Sequence, residues 1–480
     1  MKRHFPIPGL NAVALAAAVL LVGCASSSGI APSKAQAIDA KTLGPTAAAD
    51  AAPLAIDNSP WWQAFGDRQL DALVEAALAN NPNLRLAQAR VSKAQSFSDV
   101  ADAALLPQVN AGLDATRQKY TAVGAVPAPL AGNIYESGTL QLTAGWELDF
   151  FGKYDAALKA SLGQVRAAQA DAAAARMLLA SNITRQYFAL ARIQAQLVVA
   201  ERALAQRNQT MRLVQDRVNA GLDTQLELRS AESALPEARM QIEQLREQQA
   251  LARNAIAALV SKPNSDLALA NTAQTAIKQI ATPNTVALDL VGRRPDVAAA
   301  RARIEAATQD VANARTQFYP NINLNAFAGW SAIGLEKLTT VKSEQWGVGP
   351  AIRLPIFDAG RLRANLRAKN ADLDAAVESY NAQVIDAVRD VSDQLASQRA
   401  IALQQAEQVQ AQHSAEAAYA IALQRFEAGL GNYLQVLSAE TAVLAQRRAA
   451  VDLQGRLLDT QVQLIRALGG SLPAVTASAP

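Results

Sequence analysis

Most of the groups that carry enzyme chemistry are scarce in this chain of 480 residues. It holds one cysteine, Cys24, and two histidines, His4 and His413. A single thiol excludes an internal disulfide and a thiolate metal cluster. No Ser/His/Asp set can be assembled around several histidines, and no glycine-rich phosphate loop follows a buried strand. The four methionines, Met1, Met177, Met211 and Met240, are too scattered for a soft-metal path. Charge of one sign is lacking as well. The net charge is +3 with both signs interspersed, so there is no basic face for nucleic acid and no acidic tail. Beyond residue 22 there is no run of about 18 apolar residues, hence no candidate transmembrane helix. We therefore expect no catalytic residue, no cofactor and no metal site.

The N-terminus is where localisation is written. Lys2, Arg3 and His4 form a positive start, and Asn11 to Val22 is an apolar stretch too short to span a bilayer. It ends at Leu21-Val22-Gly23-Cys24, which resembles a bacterial lipobox. Residues 1–23 are expected to be a signal peptide. Cys24 then carries N-acyl and S-diacylglycerol lipid as the new N-terminus. At about 0.8 kcal/mol per buried CH₂, two or three chains hold a protein on a membrane. Ala25, where an aspartate would signal inner-membrane retention, favours outer-membrane sorting by the same resemblance. Residues 24–56, rich in Ala, Ser and Pro, form the tether.

Beyond the tether the chain repeats itself. Asn81-Pro82-Asn83-Leu84 opens a helical pattern that closes at Pro107, and Arg294-Pro295-Asp296-Val297 opens one that closes at Pro320 with the same spacing. Arg217-Val218-Asn219-Ala220-Gly221-Leu222 matches Arg425-Phe426-Glu427-Ala428-Gly429-Leu430, and Gly152 to Gly221 equals Gly360 to Gly429. Such register indicates an internal duplication. We divide the chain into a first repeat (57–265), a connection (266–293), a second repeat (294–468) and a flexible C-terminal tail (469–480).

Each repeat holds two segments of period-two alternation. Pro107–Ala115 and Gly138–Phe150 form the first pair. The second begins at Asn321, where Ile322, Leu324, Ala326, Ala328 and Trp330 alternate with Asn321, Asn323, Asn325 and Phe327. Its fourth segment has Trp346, Val348, Pro350, Ile352, Leu354 and Ile356 on one face. About ten alternating residues suit a tilted outer-membrane strand, although a soluble half-buried sheet reads the same way. The lipobox and the flanking helices favour the membrane. Those helices, from about Lys153 to Gln215 and Arg361 to Arg425, contain no proline. About 60 helical residues would reach about 90 Å. Their near-heptad apolar spacing suits coiled-coil packing. Return helices are expected over Thr224–Leu259, with a kink at Pro236, and over Asn432–Leu468. Four strands cannot close a barrel, and open edges are not tolerated in lipid, so the chain must oligomerise. Two copies would give eight strands filled by side chains, and three would give twelve around a water-filled lumen. Geometry excludes a monomer and disfavours a dimer without selecting three.

Trp61-Trp62-Gln63-Ala64-Phe65-Gly66-Asp67, followed by Leu70, Leu73 and Asn81-Pro82-Asn83-Leu84, resembles the opening of the lipidated branch of the TolC-like outer-membrane efflux family. Arg293-Arg294-Pro295-Asp296-Val297 resembles its second-repeat opening, and the paired Arg…Ala-Gly-Leu turns its hairpin tips. The resemblance implies an α+β membrane protein. It further implies a homotrimer in which a twelve-stranded transmembrane β-barrel continues as a twelve-helix periplasmic α-barrel girdled by a mixed equatorial domain. Segments near Asp57–Asp67, Leu267–Leu290 and the C-terminus would fall in that belt. The implied function is passive export of drugs and toxic small molecules, handed on by a periplasmic adaptor and an inner-membrane pump of the RND type. Arg217, Gly221, Leu222, Arg425, Gly429 and Leu430 would form adaptor-docking tips. Leu434 would supply a hydrophobic gate ring. The family's acidic ring falls at Ser438, with Gln435 between, so this chain departs from the pattern there. A lipid-anchored periplasmic coiled-coil adaptor or scaffold is the alternative of another class, and the duct of a protein secretion system is a second.

Overall fold

The computed structural model describes residues 26–38, 59–263, 269–280 and 292–470. Cys24 and the lipobox, most of the tether, part of the Leu267–Leu290 segment and the tail from residue 471 lie outside the described residues. The chain divides into two compact units. One comprises the described parts of Met1–Ala37, Arg90–Ala168 and Ala299–Tyr380, and the other those of Ile38–Ala89, Gln169–Ala298 and Asn381–Pro480.

The described elements are α1 (Arg68–Asn80), α2 (Pro82–Ala103), β1 (Gln108–Lys119), β2 (Ile134–Glu147), α3 (Lys153–Asn219), α4 (Gln225–Leu259), α5 (Pro295–Thr316), β3 (Asn321–Ile333), β4 (Glu344–Arg353), α6 (Arg361–Glu427) and α7 (Tyr433–Ala467). Helices α2 and α5 both have 22 residues, α3 and α6 both 67, and α4 and α7 both 35. The equal spacings of the sequence thus become equal element lengths.

Local chemistry explains where the helices begin. Pro82 and Pro295 occupy the first helical position, where a missing N–H costs nothing. Asp149 accepts from the amides of Lys153 and Asp155 ahead of α3, and Asp358 from those of Gly360 and Leu362 around the start of α6. Thr224 and Glu227 form a reciprocal capping box on α4, and Asn432 caps α7 by accepting from Gln435 N. The sequence predicts a kink at Pro236; the helix continues past it to Leu259.

In the first unit the strands form one antiparallel sheet in the order β1-β2-β3-β4. The outer edges of β1 and β4 have no strand partner among the described residues. Helix α3 passes α5 so closely that a Cβ on Gly163 would lie 2.8 Å from that of Ala306. The described part of the tether is held against α6. Arg363 Nη1 donates to the carbonyls of Ser26 (2.6 Å) and Ser28 (3.0 Å), and Asn370 to that of Ala31. The Asp374 carboxylate accepts from Ser33 Oγ and from the amides of Lys34 and Ala35. These three helix residues, at i, i+7 and i+11, lie on one stripe.

The second unit is built on the Trp61-Trp62-Gln-Ala-Phe65 turn. Trp61, Trp62 and Phe65 are buried with Leu70 and Val74 of α1, Tyr187 and Phe188 of α3, Ile256 of α4, and Leu458 and Val462 of α7. The Phe65 and Phe188 rings meet edge to face at 4.9 Å. Tyr187 donates to Asp67, which also caps α1; burial, and next that carboxylate, push the phenol up, so it stays neutral. Arg294, almost wholly buried, forks onto Asp296 (3.1 and 2.8 Å) and reaches Asp390 (3.1 Å). Both motifs that open the repeats are therefore structural.

Candidate functional site

Two regions present chemistry outward, and the sheet is the first. Its register pairs apolar with apolar: Val109↔Ala144 and Leu113↔Leu140, then Leu140↔Trp330 and Trp146↔Leu324, then Ile322↔Ile352 and Ala326↔Val348. With side chains alternating, the apolar sets of all four strands lie on one face. That face is not covered: Val109, Leu113, Leu142, Trp346, Val348 and Ile352 are all exposed. Asn110, Gln141, Thr143, Asn325 and Gln345 share the other face.

The ends of the apolar face are equally telling. At the helix-bearing end sit Trp146, Phe150, Phe357 and the stacked rings of Phe151 and Tyr319, 4.9 Å apart. Trp330 and Trp346 stand towards the opposite end, where Arg117 pairs with Glu136 at 3.4 Å. From Trp146 to that ion pair, β2 covers about 33 Å along the strand, or about 25 Å tall at the usual tilt of barrel strands. An apolar band of that height between aromatic girdles matches the surface that outer-membrane strands present to lipid. A soluble sheet would bury this face.

The second region is the pair of hairpin tips in the second unit. Helix α3 ends in a Schellman motif: Leu222 N donates to Arg217 O (2.8 Å) and Gly221 N to Val218 O, with Gly221 at φ +74°. Helix α6 ends identically through Leu430, Arg425, Gly429 and Phe426, with Gly429 at φ +75°. The tips pack on Val214, Leu228, Phe426, Tyr433 and Val436. Arg217 Nε donates to Asp223 (2.9 Å), Nη1 donates to the Phe426 carbonyl (3.0 Å), and the guanidinium lies 4.7 Å from the Phe426 ring centre. Arg425 is exposed, and its guanidinium donates to the Leu430 carbonyl (3.1 Å). Behind the tips Arg207 meets buried Glu440 at 3.3 Å; burial pushes this carboxyl up, and Arg207 opposes the shift.

Along the first turns of α7, Tyr433, Val436 and Glu440 face inward, whereas Leu434 (49% exposed), Gln435 and Ser438 face outward. Leu222, Leu226 and Leu430 are more exposed still, at 66, 66 and 70%.

Comparison with known proteins joins these regions. The family model described as "Outer membrane efflux protein" matches residues 73–261 and 288–470. The chain belongs to the outer membrane efflux protein family. Among its relatives is the multidrug resistance outer membrane protein MdtQ of Escherichia coli O157:H7, 31% identical over 94% of this chain and 96% of that protein. The corresponding MdtP of Shigella flexneri is 32% identical over 87% of each. The crystal structure of the outer membrane protein VceC from Vibrio cholerae superposes with a TM-score of 0.81, at 34% identity, covering 86% of this chain and 99% of that one. This efflux protein is therefore an outer-membrane channel. Among the described residues no helix is long and apolar enough to cross a membrane.

The structure brings the tip residues together as the sequence expects but does not treat them alike. Arg217 points inward as a brace, and the four exposed leucines are what the tips present. Leu226, the first-repeat counterpart of Leu434, went unnoticed in the sequence although the repeat spacing identifies it. The strap receptors Arg363, Asn370 and Asp374 had no sequence signal, being ordinary polar residues of a helix.

Proposed function

We propose that this efflux protein is the exit channel of a tripartite pump: a homotrimer that passively conducts drugs and toxic small molecules outward. The observation that carries this reading is the sheet, with one exposed apolar face of membrane height and an unpartnered edge on both β1 and β4. In lipid such edges must pair, and three copies make twelve strands around a wet lumen, whereas two leave little room. The α3–α4 and α6–α7 hairpins would supply twelve helices to a periplasmic tunnel belted by an equatorial domain. Equal element lengths support an origin by duplication. The names of the relatives support drugs as cargo. Acylation at Cys24 would anchor the chain, and the channel would need no catalytic group, cofactor or metal, and no nucleic acid.

At the tips, Leu222, Leu226 and Leu430 would meet the periplasmic adaptor, with Arg217, Gly221, Arg425 and Gly429 shaping the turns. An inner-membrane pump, of the RND type by family resemblance, would stand behind the adaptor. Leu434 would form a dewetting ring with Gln435 and Ser438 beside it, without an acidic ring. Leu434→Ala is expected to raise the ion conductance of the purified channel; unchanged conductance removes the ring. Native mass spectrometry of protein extracted from outer membranes tests the whole: an acylated trimer supports the channel, and an acylated monomer overturns it.

A further inference from the structure

The polar face of the sheet carries one large apolar side chain away from its ends, Phe327 in the middle of β3. The register places it between Thr143 of β2 and Gly347 of β4, among residues that are otherwise polar or glycine. Both edges of β3 are already paired, so closing the sheet through β1 and β4 would not cover this ring. It is 41% exposed. The remainder rests on Gly347, where a Cβ would come within 2.6 Å of Phe327 Cε1. The ring thus lies against the sheet instead of standing away from it.

The surroundings have been cleared of side chains. Gly145 and Gly349 flank Asn325, one register level below Phe327, and Gly329 lies one level above. No atom lies within 4 Å of a Cβ placed on Gly349. Over Gly329, Gln345 Nε2 donates to Gln141 Oε1 at 3.2 Å, so two carboxamides from strands that are not neighbours meet above the glycine. The result is a shallow bay: an aromatic floor with a rim of amides from Gln141, Gln345 and Asn325 and the hydroxyl of Thr143. No charged side chain occupies these register positions.

We infer that this bay is a contact site for planar aromatic solutes bearing hydrogen-bonding groups on their edges. The inference rests on the channel reading above, which turns the polar face to the lumen. An apolar ring on a water-facing wall gains by stacking with a second ring, and the neutral amides can pair with rim donors or acceptors in either sense. Stacking of a flat heterocyclic base on an aromatic side chain strengthens binding by about 5- to 150-fold in other proteins. In a duct it would hold flat compounds at the wall briefly and favour them over aliphatic ones of equal size. Phe327 would then be a specificity-determining residue of the passage itself.

Two measurements separate this proposal from the reading beneath it. In the first, the Phe327→Cys variant in lipid nanodiscs is treated with a charged maleimide, with Leu142→Cys on the opposite face as control. Labelling at 327 and not at 142 places the bay in water; the reverse pattern overturns both the channel orientation and the bay. In the second, proflavine, a flat tricycle with amino groups on its rim, is titrated by fluorescence polarisation into the full-length protein in nanodiscs. Phe327→Leu keeps an apolar cover over Gly347 but removes the aromatic face. It is expected to weaken saturable binding by about 5-fold or more, and Phe327→Trp to retain it. Equal binding by the Leu variant and the unmodified protein, with 327 accessible, overturns the bay and leaves the channel standing. If Phe327→Leu does not assemble, the comparison is made with Phe327→Tyr and Phe327→Trp against Gln141→Ala. Loss of binding only in the last supports the rim, and no difference rejects it.

Discussion

Arg217 and Arg425 occupy matching positions, yet two neighbours make them unequal: the first repeat has Asp223 where the second has Gly431. Position 426 is Phe where the first repeat has Val218, and the Phe426 ring and carbonyl give Arg217 a partner across the tips. Arg425 has no such carboxylate at position 431, donates to the Leu430 carbonyl and stays exposed. Removing Arg217 leaves the Asp223 carboxylate without its cation and the Phe426 carbonyl without one donor. We expect Arg217→Ala to cost about 2–3 kcal/mol locally. Arg217→Lys should recover only part of this, because the fork is lost. Arg425→Ala should cost under about 0.5 kcal/mol. Limited proteolysis at residues 217–227 measures the difference; equal cleavage of the two alanine variants would remove the brace. A second residue carries avoidable strain. Ser261 closes α4 at φ +61° where its repeat partner is Gly469, and its buried hydroxyl has no hydrogen-bond partner among the described residues. Ser261→Gly is expected to stabilise by about 0.5–1 kcal/mol, read from the denaturation midpoint.

At the scale of elements, the sequence reveals what is local and hides what is remote. Proline-free stretches ended by glycine turns give the starts of α3 and α6 and place their ends within four and two residues, because helix propensity and Schellman turns depend on neighbours in the chain. Alternation gives the strands, whose ends shift by a few residues: the segment expected from Gly138 to Phe150 is a strand from Ile134 to Glu147. The reason is pairing, since β2 extends as far as β1 can follow it, through Ile134↔Lys119. The strap was illegible because it joins residues 26–35 to residues 363–374, and nothing in either stretch announces the other. Its receptor makes a pH prediction. The Ser33 hydroxyl, and next the amides of Ala35 and Lys34, hold the Asp374 carboxyl below its ordinary value of 3.8. A depressed carboxylate contributes above its unfolded value and loses that contribution as pH falls through its folded one. The amides of Lys34 and Ala35 should therefore stay protected down to below pH 3.8 and open at lower pH. In Asp374→Ala they should exchange freely at neutral pH. Hydrogen exchange across residues 26–37 checks both, and protection that persists in the variant would place the strap's hold elsewhere.

For the whole molecule, the decisive feature is what the chain leaves unfinished. A sheet with a lipid-height apolar face and two open edges has no stable monomeric form in a bilayer, where an unpaired backbone group costs several kcal/mol. The β1 edge can pair with a β4 edge; among the described residues this chain offers no further strand, and in the proposed assembly another copy supplies it. Pairing head to tail in this way must close into a ring or grow without limit. Closure is set by strand tilt and stagger, which one chain does not fix alone, and for this reason the copy number was not legible in the sequence. Disulfide trapping counts the copies. Cysteines are placed on the polar face of β1 at Asn110, Gly112 or Asp114 and on that of β4 at Gly347 or Gly349. The sole native thiol is Cys24, so background coupling is low. Oxidation in native membranes should yield, for the pairs in register, a ladder of one, two and three chains that stops there. A ladder ending at two would mean an eight-stranded barrel too narrow for drugs, and one that continues would mean an open assembly. No coupling for any pair would mean that the edges are covered by something other than a second copy.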